Sequence, residues 1–566
     1  MFLIIPIISW GGRKLNKTRQ ELRKGLILTP EKFKCSDICW HGGVKFYQID
    51  KMPDSVKWWF SCLGFLRLLI LNNKLTCSDE RICRLIVKDF FSNNGSITNN
   101  SFSRAWDGHA VALRAGVLLD IYNGSLDKKY LEPIIFDHML FLEDQKNFQG
   151  HWNHGVDQSI SLIQLADFLN NKRALKTGVN RLFDSLSVLV DDEGATIEQS
   201  IHYQLYNYKQ LGRAIGLLEK LNESSFNEFL AELKRRRLLM GEFLAHATKP
   251  DGHYFEIGDT PAQRAEVIDD DSALYAATQG QGGEAPKDNI KIFKSGYIFG
   301  RSGWGKGVQL KDESAYAIRF GAPRKIHGHF DHLSLLYHSK GIDILRDGGF
   351  HGYTDDSTRH YLRSASAHNS ITASHPLIKA NPSYSKLLDH TINKDFSKFS
   401  LASSPYNGVD FKRTLIFISN PEVIVVLDSI LCDRNISVNQ RWHFGDNILL
   451  ERTVSNSVVS KDKLLEVTQH YPIDRLSVYN SMDSDNPSCV AGENMYETSR
   501  SPLIISERSG KNVTFLTTFS IANDGKHPEI VDKRLGNNGI RRSLVIKGKF
   551  KKTRINFFEN GTLSVI

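Results

Sequence analysis

The spacing of the apolar residues changes once along this chain, and that change limits the folds open to it. From about Pro53 to Thr248 apolar residues recur three and four positions apart, which is typical of amphipathic helices. From Ile292 onward, short runs such as YIFGRSGW, TLIFIS and VIVVLDSI alternate apolar and polar residues, which is typical of strands. We therefore expect an α+β protein with about eight helices followed by an antiparallel sandwich.

The chain divides into three predicted parts. With 566 residues it is too long for a single hydrophobic core. A Gly-rich passage around residues 279–283 separates the helical pattern from the strand pattern and predicts an inter-domain loop. The predicted parts are an amino-terminal segment of unknown role (residues 1–45), a helical domain (46–285) and a β-sandwich domain (286–566).

Composition excludes several classes of protein. A hydrophobic content of 41% and a mean hydropathy of −0.31 are typical of soluble globular proteins, and no apolar run is long enough to span a membrane. The net charge of +9 favours an acidic partner if it is concentrated in a cleft. We find no zinc-finger spacing, no RNA-binding aromatic motif and no long basic run, so nucleic acid is not the expected partner. Seven cysteines are an odd number, which argues against a full disulfide framework.

Histidines concentrate in one stretch of the strand-patterned half. Eight of the chain's 20 histidines lie between residues 319 and 375. His327, His329 and Asp331 are spaced at i, i+2 and i+4, so they would share one face of a strand. Downstream, Lys340-Gly341 predicts a hairpin turn, and the returning run GIDILRDGG would bring Asp347 back toward the first run. Imidazoles with one carboxylate suit zinc.

As a string, residues 327–332 match the HxHxDH signature of metallo-β-lactamase-like zinc hydrolases. In that fold the motif leads into a helix and stands near the beginning of the domain. Here the motif is followed by LSLLYHSKGIDIL, which has a hairpin pattern, and more than 300 residues precede it. A zinc-dependent hydrolase therefore stays an alternative rather than the main hypothesis.

Two motifs in the helical half carry polar groups suited to chemistry. Asn153 and His154 stand at a loop-to-helix junction, where amide and imidazole donors can hold an anion, although Asn153 could equally cap the helix. Tyr203 lies in the run EQSIHYQLY with His202 before it, and the alternative for this tyrosine is a place on a core face.

A third group in the helical half contains Trp106, His109 and Arg114. An aromatic platform and a guanidinium would suit a uronate sugar, but the same residues could serve packing and surface.

Five pieces of sequence, in order, resemble the heparinase II/III-like polysaccharide lyases. They are Asn153-His154, the E-x-S-x-x-Y run from Glu198 to Tyr203, HGHFD at 327–331, DGG at 347–349 and R-x-x-x-A-H-N at 363–369. The resemblance covers roughly residues 50 to 450. It implies an incomplete (α/α) toroid with substrate lying across its cleft, followed by an antiparallel β-sandwich.

The resemblance also implies a reaction, β-elimination on a uronic-acid polysaccharide. It assigns Asn153 and His154 to the carboxylate, where charge develops, and Tyr203 to the leaving oxygen as acid. Tyr203 could also act as base if its pKa were lowered, with His327 as the alternative base. Trp106, His109, Arg114 and His202 are the expected substrate contacts.

The same resemblance implies a metal and a partner. His329, Asp347 and His368 would hold one zinc per chain, mainly to keep strands in register. The partner would be an anionic polysaccharide, and the alternative to catalysis is an acidic-glycan-binding protein of the same fold. The substrate class favours the periplasm or secretion, while the poorly formed signal peptide in MFLIIPIISWGG leaves the cytoplasm open.

Overall fold

The computed structural model describes most of the chain. The described residues are 12–30, 35–40, 46–70, 74–95, 101–381, 383–453, 456–481, 486, 488–534, 540–548, 552–558 and 563–566. The chain divides into two compact units. The helical unit contains Met1–Ile197 and Gln204–Met240, and the β unit contains Glu198–Tyr203 and Gly241–Ile566.

Helices make up most of the described first half. The α-helices are α1 Gly12–Arg23, α2 Phe46–Asp50, α3 Asp54–Ser61, α4 Cys77–Asn93, α5 Gly108–Gly124, α6 Glu132–Glu143, α7 Asn153–Phe168, α8 Lys172–Leu189, α9 Ile201–Leu221, α10 Asn227–His246, α11 Asp271–Ala277 and α12 Ser357–Arg363. Short 3-10 helices lie at Gly64–Leu69, Gln145–Asn147, Ser224–Phe226, Leu310–Asp312 and Ala365–Ala367. None of the described helices is long and apolar enough to cross a membrane.

Helices α4, α5 and α8 of the helical unit begin at side-chain caps, and neighbouring helices pack closely. Asp107 caps α5 by accepting hydrogen bonds from the backbone N–H groups of His109 and Ala110. Helices α7 and α8 pack against each other, and a Cβ built on Gly178 of α8 would lie 2.8 Å from Ile163 Cγ1 of α7. A side chain at position 178 would therefore separate this helix pair.

Strands dominate the β unit. Two short strands, β1 Leu26–Ile27 and β2 Ile38–Cys39, pair in the helical unit. The others are β3 Ile290–Phe293, β4 Tyr297–Arg301, β5 Ala315–Arg319, β6 Leu335–Ser339, β7 Ile342–Leu345, β8 Ile371–Ser374, β9 Lys386–Ile392, β10 Phe396–Tyr406, β11 Val409–Ser419, β12 Glu422–His443, β13 Leu450–Arg452, β14 Ser457–Ser460, β15 Leu465–Gln469, β16 Arg475–Tyr479, β17 Val490–Asn494, β18 Glu497–Arg500, β19 Leu503–Ile521, β20 Glu529–Arg534, β21 Ile540–Lys547, β22 Lys552–Phe558 and β23 Leu563–Val565.

The two largest sheets share one hydrophobic core. The five-stranded sheet has the order β3-β4-β5-β6-β7, and the ten-stranded sheet has the order β13-β14-β15-β19-β12-β11-β10-β9, with β16 on β19 and β8 on β12. Ile318 and Leu335 of the first sheet belong to the same buried cluster as Phe399, Val426 and Trp442 of the second. The sheets therefore pack face to face as a sandwich. Strands β20 to β23 form a separate sheet, as do β17 and β18.

The predicted order of elements is confirmed, since helices fill the first half and antiparallel strands the second. The predicted hairpin is confirmed as well: β6 pairs with β7, and Lys340 and Gly341 between them have φ values of 54° and 75°. All seven cysteines are free.

The domain limits at residues 45 and 285 stay a prediction. Contacts between Cα atoms instead group the chain into the two units given above, whose limits fall near residues 197 to 204 and at 240.

One prediction about local structure is wrong, because His327, His329 and Asp331 do not lie on a strand. They lie between β5 and β6 in an irregular segment, residues 320–334, which we call the histidine loop. The side chain of Gln199 bonds this loop: its Nε2 donates to the carbonyls of Ala322 and Pro323, and its Oε1 accepts from Lys325 N. This amide satisfies three backbone groups at the start of the loop, and Phe330 N further along donates to Arg363 O rather than to a strand.

Candidate active site

In the β unit, a tyrosine and a histidine stack face to face. The rings of Tyr203 and His327 have centroids 3.4 Å apart and planes inclined by 5°. Tyr203 lies in the first turn of α9, where Thr260 Oγ1 accepts hydrogen bonds from the backbone N–H groups of Ile201 and His202. This capping from a distant segment fixes the start of the helix and hence the position of Tyr203.

A second tyrosine lies at the hydroxyl of the first. The phenol oxygens of Tyr203 and Tyr353 are 2.5 Å apart. Tyr353 is 46% exposed, whereas Tyr203 is partly buried. The guanidinium of Arg359 lies 5.3 Å from the centre of the Tyr353 ring, which is a favourable cation–π distance. Tyr353 therefore connects the hydroxyl of Tyr203 to a more exposed position.

One buried carboxylate organises this group of side chains. Asp259 is 1% exposed and lies 3.0 Å from His327 Nδ1 and 3.0 Å from His329 Nε2. Burial alone would raise the pKa of Asp259, but hydrogen bonds from the two histidines and from Arg359 hold that pKa well below its usual range. An ionised carboxylate only accepts hydrogen bonds, so the proton of each neutral imidazole must sit on the nitrogen facing Asp259. The basic nitrogens are then Nε2 of His327 and Nδ1 of His329.

The protonation of Tyr203 bears on its role. Burial raises the pKa of Tyr203 well above its ordinary value, and the negative charges of Asp259 and Glu198 raise it further. The hydrogen bond with Tyr353 and the charge of Arg359 oppose this only in part. Tyr203 is therefore a phenol at neutral pH, which suits a proton donor. The lowered pKa that a base would need is not found.

In the helical unit, His154 lies in a stack of aromatic rings. Its ring centroid is 3.8 Å from that of Trp152 and 3.9 Å from that of His109. Its Nδ1 lies 2.8 Å from Gln149 Oε1. Asn153 is the first residue of α7 and is 1% exposed, and its backbone carbonyl accepts from Gln210 Nε2 at 2.7 Å. The structure thus places both residues at the predicted helix start.

Asp157 supports this stack from one turn further along α7. It is buried and bonds three side chains: His109 Nε2 at 2.9 Å, Tyr206 Oη at 2.5 Å and Arg213 Nη2 at 2.6 Å. Burial alone would raise the pKa of Asp157, but the charge of Arg213 and the hydrogen bond from His109 hold it well below its usual range. The ionised carboxylate fixes the ring of His109 against His154.

The predicted substrate contacts fall in different environments. His109 is buried in the stack, and the ring of His202 meets that of Tyr203 edge to face at 5.4 Å. Trp106 packs on Phe141 and donates from Nε1 to Asn94 O at 2.9 Å. Trp106 therefore has a packing role, and the residue is also partly exposed.

Arg114 lies in the interior of the helical unit. It is fully buried and donates from Nη1 to the carbonyls of Ser61 and Ala105 and from Nε to His138 Nε2. Burial lowers the pKa of Arg114 to about 9. These internal bonds give Arg114 the packing role that was the alternative to the predicted sugar contact. Helix α5 is buried on almost all sides, which the apolar spacing did not indicate.

The three predicted metal ligands lie together in the β unit. His329, Asp347 and His368 are buried, and one potential ligand atom from each lies within 4.8 Å of the others. Asp347 Oδ2 is 3.0 Å from His368 Nδ1. Within the described part of the chain, His329 Nδ1 and His368 Nε2 are buried and have no hydrogen-bond partner. Two such nitrogens beside a carboxylate, with no sulfur in the group, form a donor set that fits zinc.

Asn369, the last residue of the A-H-N motif, joins the segments that carry these ligands. Its Nδ2 donates to the carbonyls of Leu335 and Arg346, both at 2.8 Å, and its Oδ1 accepts from His443 N at 2.6 Å. Arg413 donates to the carbonyl of Asn369 at 2.6 Å. The motif therefore holds β6, the end of β7 and β12 at fixed positions around His368.

Sequence reasoning missed five residues of these two groups, namely Asp157, Arg213, Asp259, Tyr353 and Arg359. Tyr353 and Arg359 belong to the histidine-rich stretch but stand outside its recognisable motifs. Asp259 is separated from His327 by 68 positions, and no local pattern marks it. Only the i, i+3 spacing of His154 and Asp157 on one helix was a usable signal.

Several solved structures share this fold. Heparinase III has a TM-score of 0.74 at 14% identity, over 98% of this chain and 92% of that one. The heparan sulfate lyase HepC from Pedobacter heparinus has a TM-score of 0.67 at 16% identity, over 98% and 88%. A chondroitinase AC lyase has a TM-score of 0.51 at 9% identity, over 98% and 95%. The fold is therefore that of the class in which a helical toroid precedes a β-sandwich, and the predicted fold class is confirmed.

Within that class, residues 294–471 match the family described as heparinase II/III-like, C-terminal. This match covers the histidine loop and all three predicted metal ligands, and it confirms the resemblance seen in the sequence. No curated protein matches the chain.

Proposed function

We propose that this protein is a polysaccharide lyase that cleaves a uronic-acid polymer by β-elimination and leaves an unsaturated uronate end. The observation that carries the proposal is the stack of Tyr203 on His327, with the hydroxyl of Tyr203 held by Tyr353 and the imidazole of His327 held by Asp259. It provides a protonated phenol and an oriented imidazole side by side. Lyases among the proteins of the same fold support the reaction class.

The reaction requires two proton transfers. A base removes the proton on C5 beside the carboxylate, the electron pair forms the C4–C5 double bond, the bond from C4 to the glycosidic oxygen breaks, and an acid protonates that oxygen. Tyr203, whose pKa is raised by burial, is the acid in this proposal. His327 is the base, because the hydrogen bond of its Nδ1 to Asp259 leaves Nε2 as the basic atom.

Negative charge develops on the substrate carboxylate as the C5 proton leaves. We assign its stabilisation to Asn153 and His154, by the resemblance of their motif and by the fixed geometry of His154 between Trp152 and His109. Aromatic rings on both faces restrict the imidazole to one plane, so little reorganisation is needed when charge builds.

The metal belongs to the same proposal. His329, Asp347 and His368 would hold one zinc ion, whose contribution would be to hold together the histidine loop and the segments following β7 and α12. Asp259 would orient His329 for this task by bonding Nε2, so that Nδ1 is the ligand atom. The proton transfers remain with Tyr203 and His327.

A screen of polysaccharides tests the function. Purified protein is incubated with uronate polymers of different epimers and linkages, and the ultraviolet absorbance of the new double bond is followed. Neutral glucans of similar length serve as controls. A rise in absorbance with a uronate polymer supports the proposal. Binding without any product would instead indicate a glycan-binding protein, and chain cleavage without a double bond would indicate a hydrolase.

A further inference from the structure

A cavity of about 470 Å³ opens beside the histidine loop, away from the Tyr203 ring. The loop forms one wall, and β8 together with the end of β10 forms the other. We call this cavity the sandwich pocket. Its volume lies within the range of small-molecule sites in proteins and is sufficient for one or two sugar rings.

The mouth of the sandwich pocket carries one uncompensated positive charge. Arg319, deeper in the wall, is neutralised by Asp331 at 3.3 Å. Arg324 is exposed and donates from Nε to Gly328 O at 3.1 Å. Among the described residues it has no carboxylate partner. A guanidinium held by one backbone bond keeps its remaining N–H donors for an anion.

Aromatic and polar groups complete the lining. Phe330 is 36% exposed, and the Arg324 guanidinium lies 5.6 Å from the centre of its ring. Tyr406 belongs to the opposite wall. Between them, His332 lines the cavity, and its Nε2 is a buried atom without a hydrogen-bond partner in the described part of the chain. A hydroxyl group of a ligand could satisfy this nitrogen.

We propose that the sandwich pocket is a binding subsite for an acidic sugar residue. Arg324 pairs with the carboxylate, the exposed face of Phe330 packs against the sugar ring, and His332 Nε2 bonds a hydroxyl. Identification of the ligand as a uronate rests on the proposed lyase function.

The location suggests which part of the polymer binds there. His329 lines the pocket and bonds Asp259, which in turn bonds His327. The subsite is thus separated from the proposed base by one shared carboxylate. It would hold a sugar of the same polymer near the reacting bond and so select for a second acidic residue.

The test compares two neighbouring cations. Arg324→Gln removes the guanidinium from the pocket mouth, while Lys325→Gln removes an equal charge from the next residue, which is exposed and does not line the cavity. Binding of a glucuronate-containing disaccharide and of neutral cellobiose is measured by calorimetry, with thermal melting to verify folding. A third variant, Phe330→Ala, removes the aromatic face.

The expected result is that Arg324→Gln weakens binding of the acidic disaccharide about tenfold, the effect of losing one charge-assisted contact. Lys325→Gln should weaken it less than twofold, and Phe330→Ala should weaken binding of both sugars. Equal losses for Arg324→Gln and Lys325→Gln would overturn the proposal, because they would show a general effect of charge. Absence of binding to the unmodified protein at millimolar concentration would overturn it as well.

Turnover separates this subsite from the lyase function. If a uronate polymer is cleaved, Arg324→Gln should raise KM with kcat changed less than twofold. If Arg324→Gln forms product with an unchanged KM, the proposed subsite is contradicted and the proposed lyase function is still supported. If the unmodified protein forms no unsaturated product but Arg324→Gln selectively loses disaccharide binding, the subsite is supported and the proposed lyase function is contradicted.

Discussion

Arg359 and Asp259 form a two-point ion pair in the interior of the β unit, with Nη1 2.6 Å from Oδ1 and Nη2 2.8 Å from Oδ2. Both side chains are buried. The same carboxylate oxygens also accept from His327 and His329, so one ion pair positions the proposed base and one proposed metal ligand.

We predict that Asp259→Asn lowers both stability and turnover. It leaves the buried guanidinium of Arg359 without a countercharge, and breaking a buried pair in this way costs about 3 to 5 kcal/mol. The asparagine amide also no longer fixes the proton of His327 on Nδ1. Urea unfolding measures the first effect and initial rates the second.

Two controls accompany that prediction. Asp389→Asn removes a carboxylate whose ion pair with Lys398 lies at the surface, so it should change stability little. Arg359→Gln combined with Asp259→Asn should cost less than the sum of the single changes, since the two groups form one pair. Strictly additive losses would contradict the role given to this pair.

Replacing Tyr203 by Phe should slow turnover by about 10²-fold or more, because it deletes the proposed acid and keeps the ring that stacks on His327. Tyr275→Phe is a matched control, since the hydroxyl of Tyr275 bonds Trp304 O outside the site. The rate of double-bond formation is the measurement. If Tyr203→Phe keeps the original rate while Tyr353→Phe abolishes it, the acid is Tyr353 and the assignment of Tyr203 is wrong.

Asn153→Ala should reduce kcat by about 10² to 10³-fold, the effect of removing one donor from a developing negative charge. The backbone of residue 153 stays bonded to Gln210, so the helix start should be retained. Steady-state kinetics on a uronate polymer and circular dichroism check the two statements. A variant that raises KM alone would show that Asn153 binds substrate without stabilising the transition state.

Protonation of Asp157 at low pH should destabilise the protein, because the ionised carboxylate bonds Arg213 and His109. The pKa of Asp157 is lower in the folded protein than in the unfolded chain, where it is about 3.9. The ionised Asp157 therefore contributes fully to the free energy of unfolding above the unfolded pKa, and this contribution is lost as pH falls toward the folded pKa. Unfolding by urea at pH 5 and at pH 3 should therefore show a larger loss of stability in the unmodified protein than in Asp157→Asn. Equal losses would mean that Asp157 is not the ionised partner of Arg213.

The purified protein should contain about one zinc per chain, bound by nitrogen and oxygen. His368→Ala should release the metal and lower the melting temperature, because the ligands come from three separate segments. His375→Ala changes a partly exposed histidine of the same stretch and should leave the metal content unchanged. Elemental analysis measures the content. X-ray absorption that shows sulfur ligands would contradict the assignment.

Local patterns predicted the order of helices and strands in this protein and named three residues, His329, Asp347 and His368, that the structure brings together. Apolar spacing distinguishes helix from strand because side chains repeat every 3.6 residues in one and every two in the other. Lys340-Gly341 specified a hairpin because the turn needs positive φ at both positions, which Gly341 supplies readily. His329, Asp347 and His368 could be named because each stands in a motif that resembles a known family.

What only the tertiary structure decided depends on contacts between distant positions. Spacing at i, i+2 and i+4 predicted a strand at the histidines, but Gln199, which lies 126 positions before Lys325, bonds that segment as a loop. The apolar stripe of α5 could not show that neighbouring helices also cover Arg114. Arg359 reaches Asp259 across 100 positions, and the choice of the proton-bearing nitrogen on His327 follows from that carboxylate. Periodicity carries no information about such pairs, because it records which face of an element is buried and not which distant group the fold brings to it.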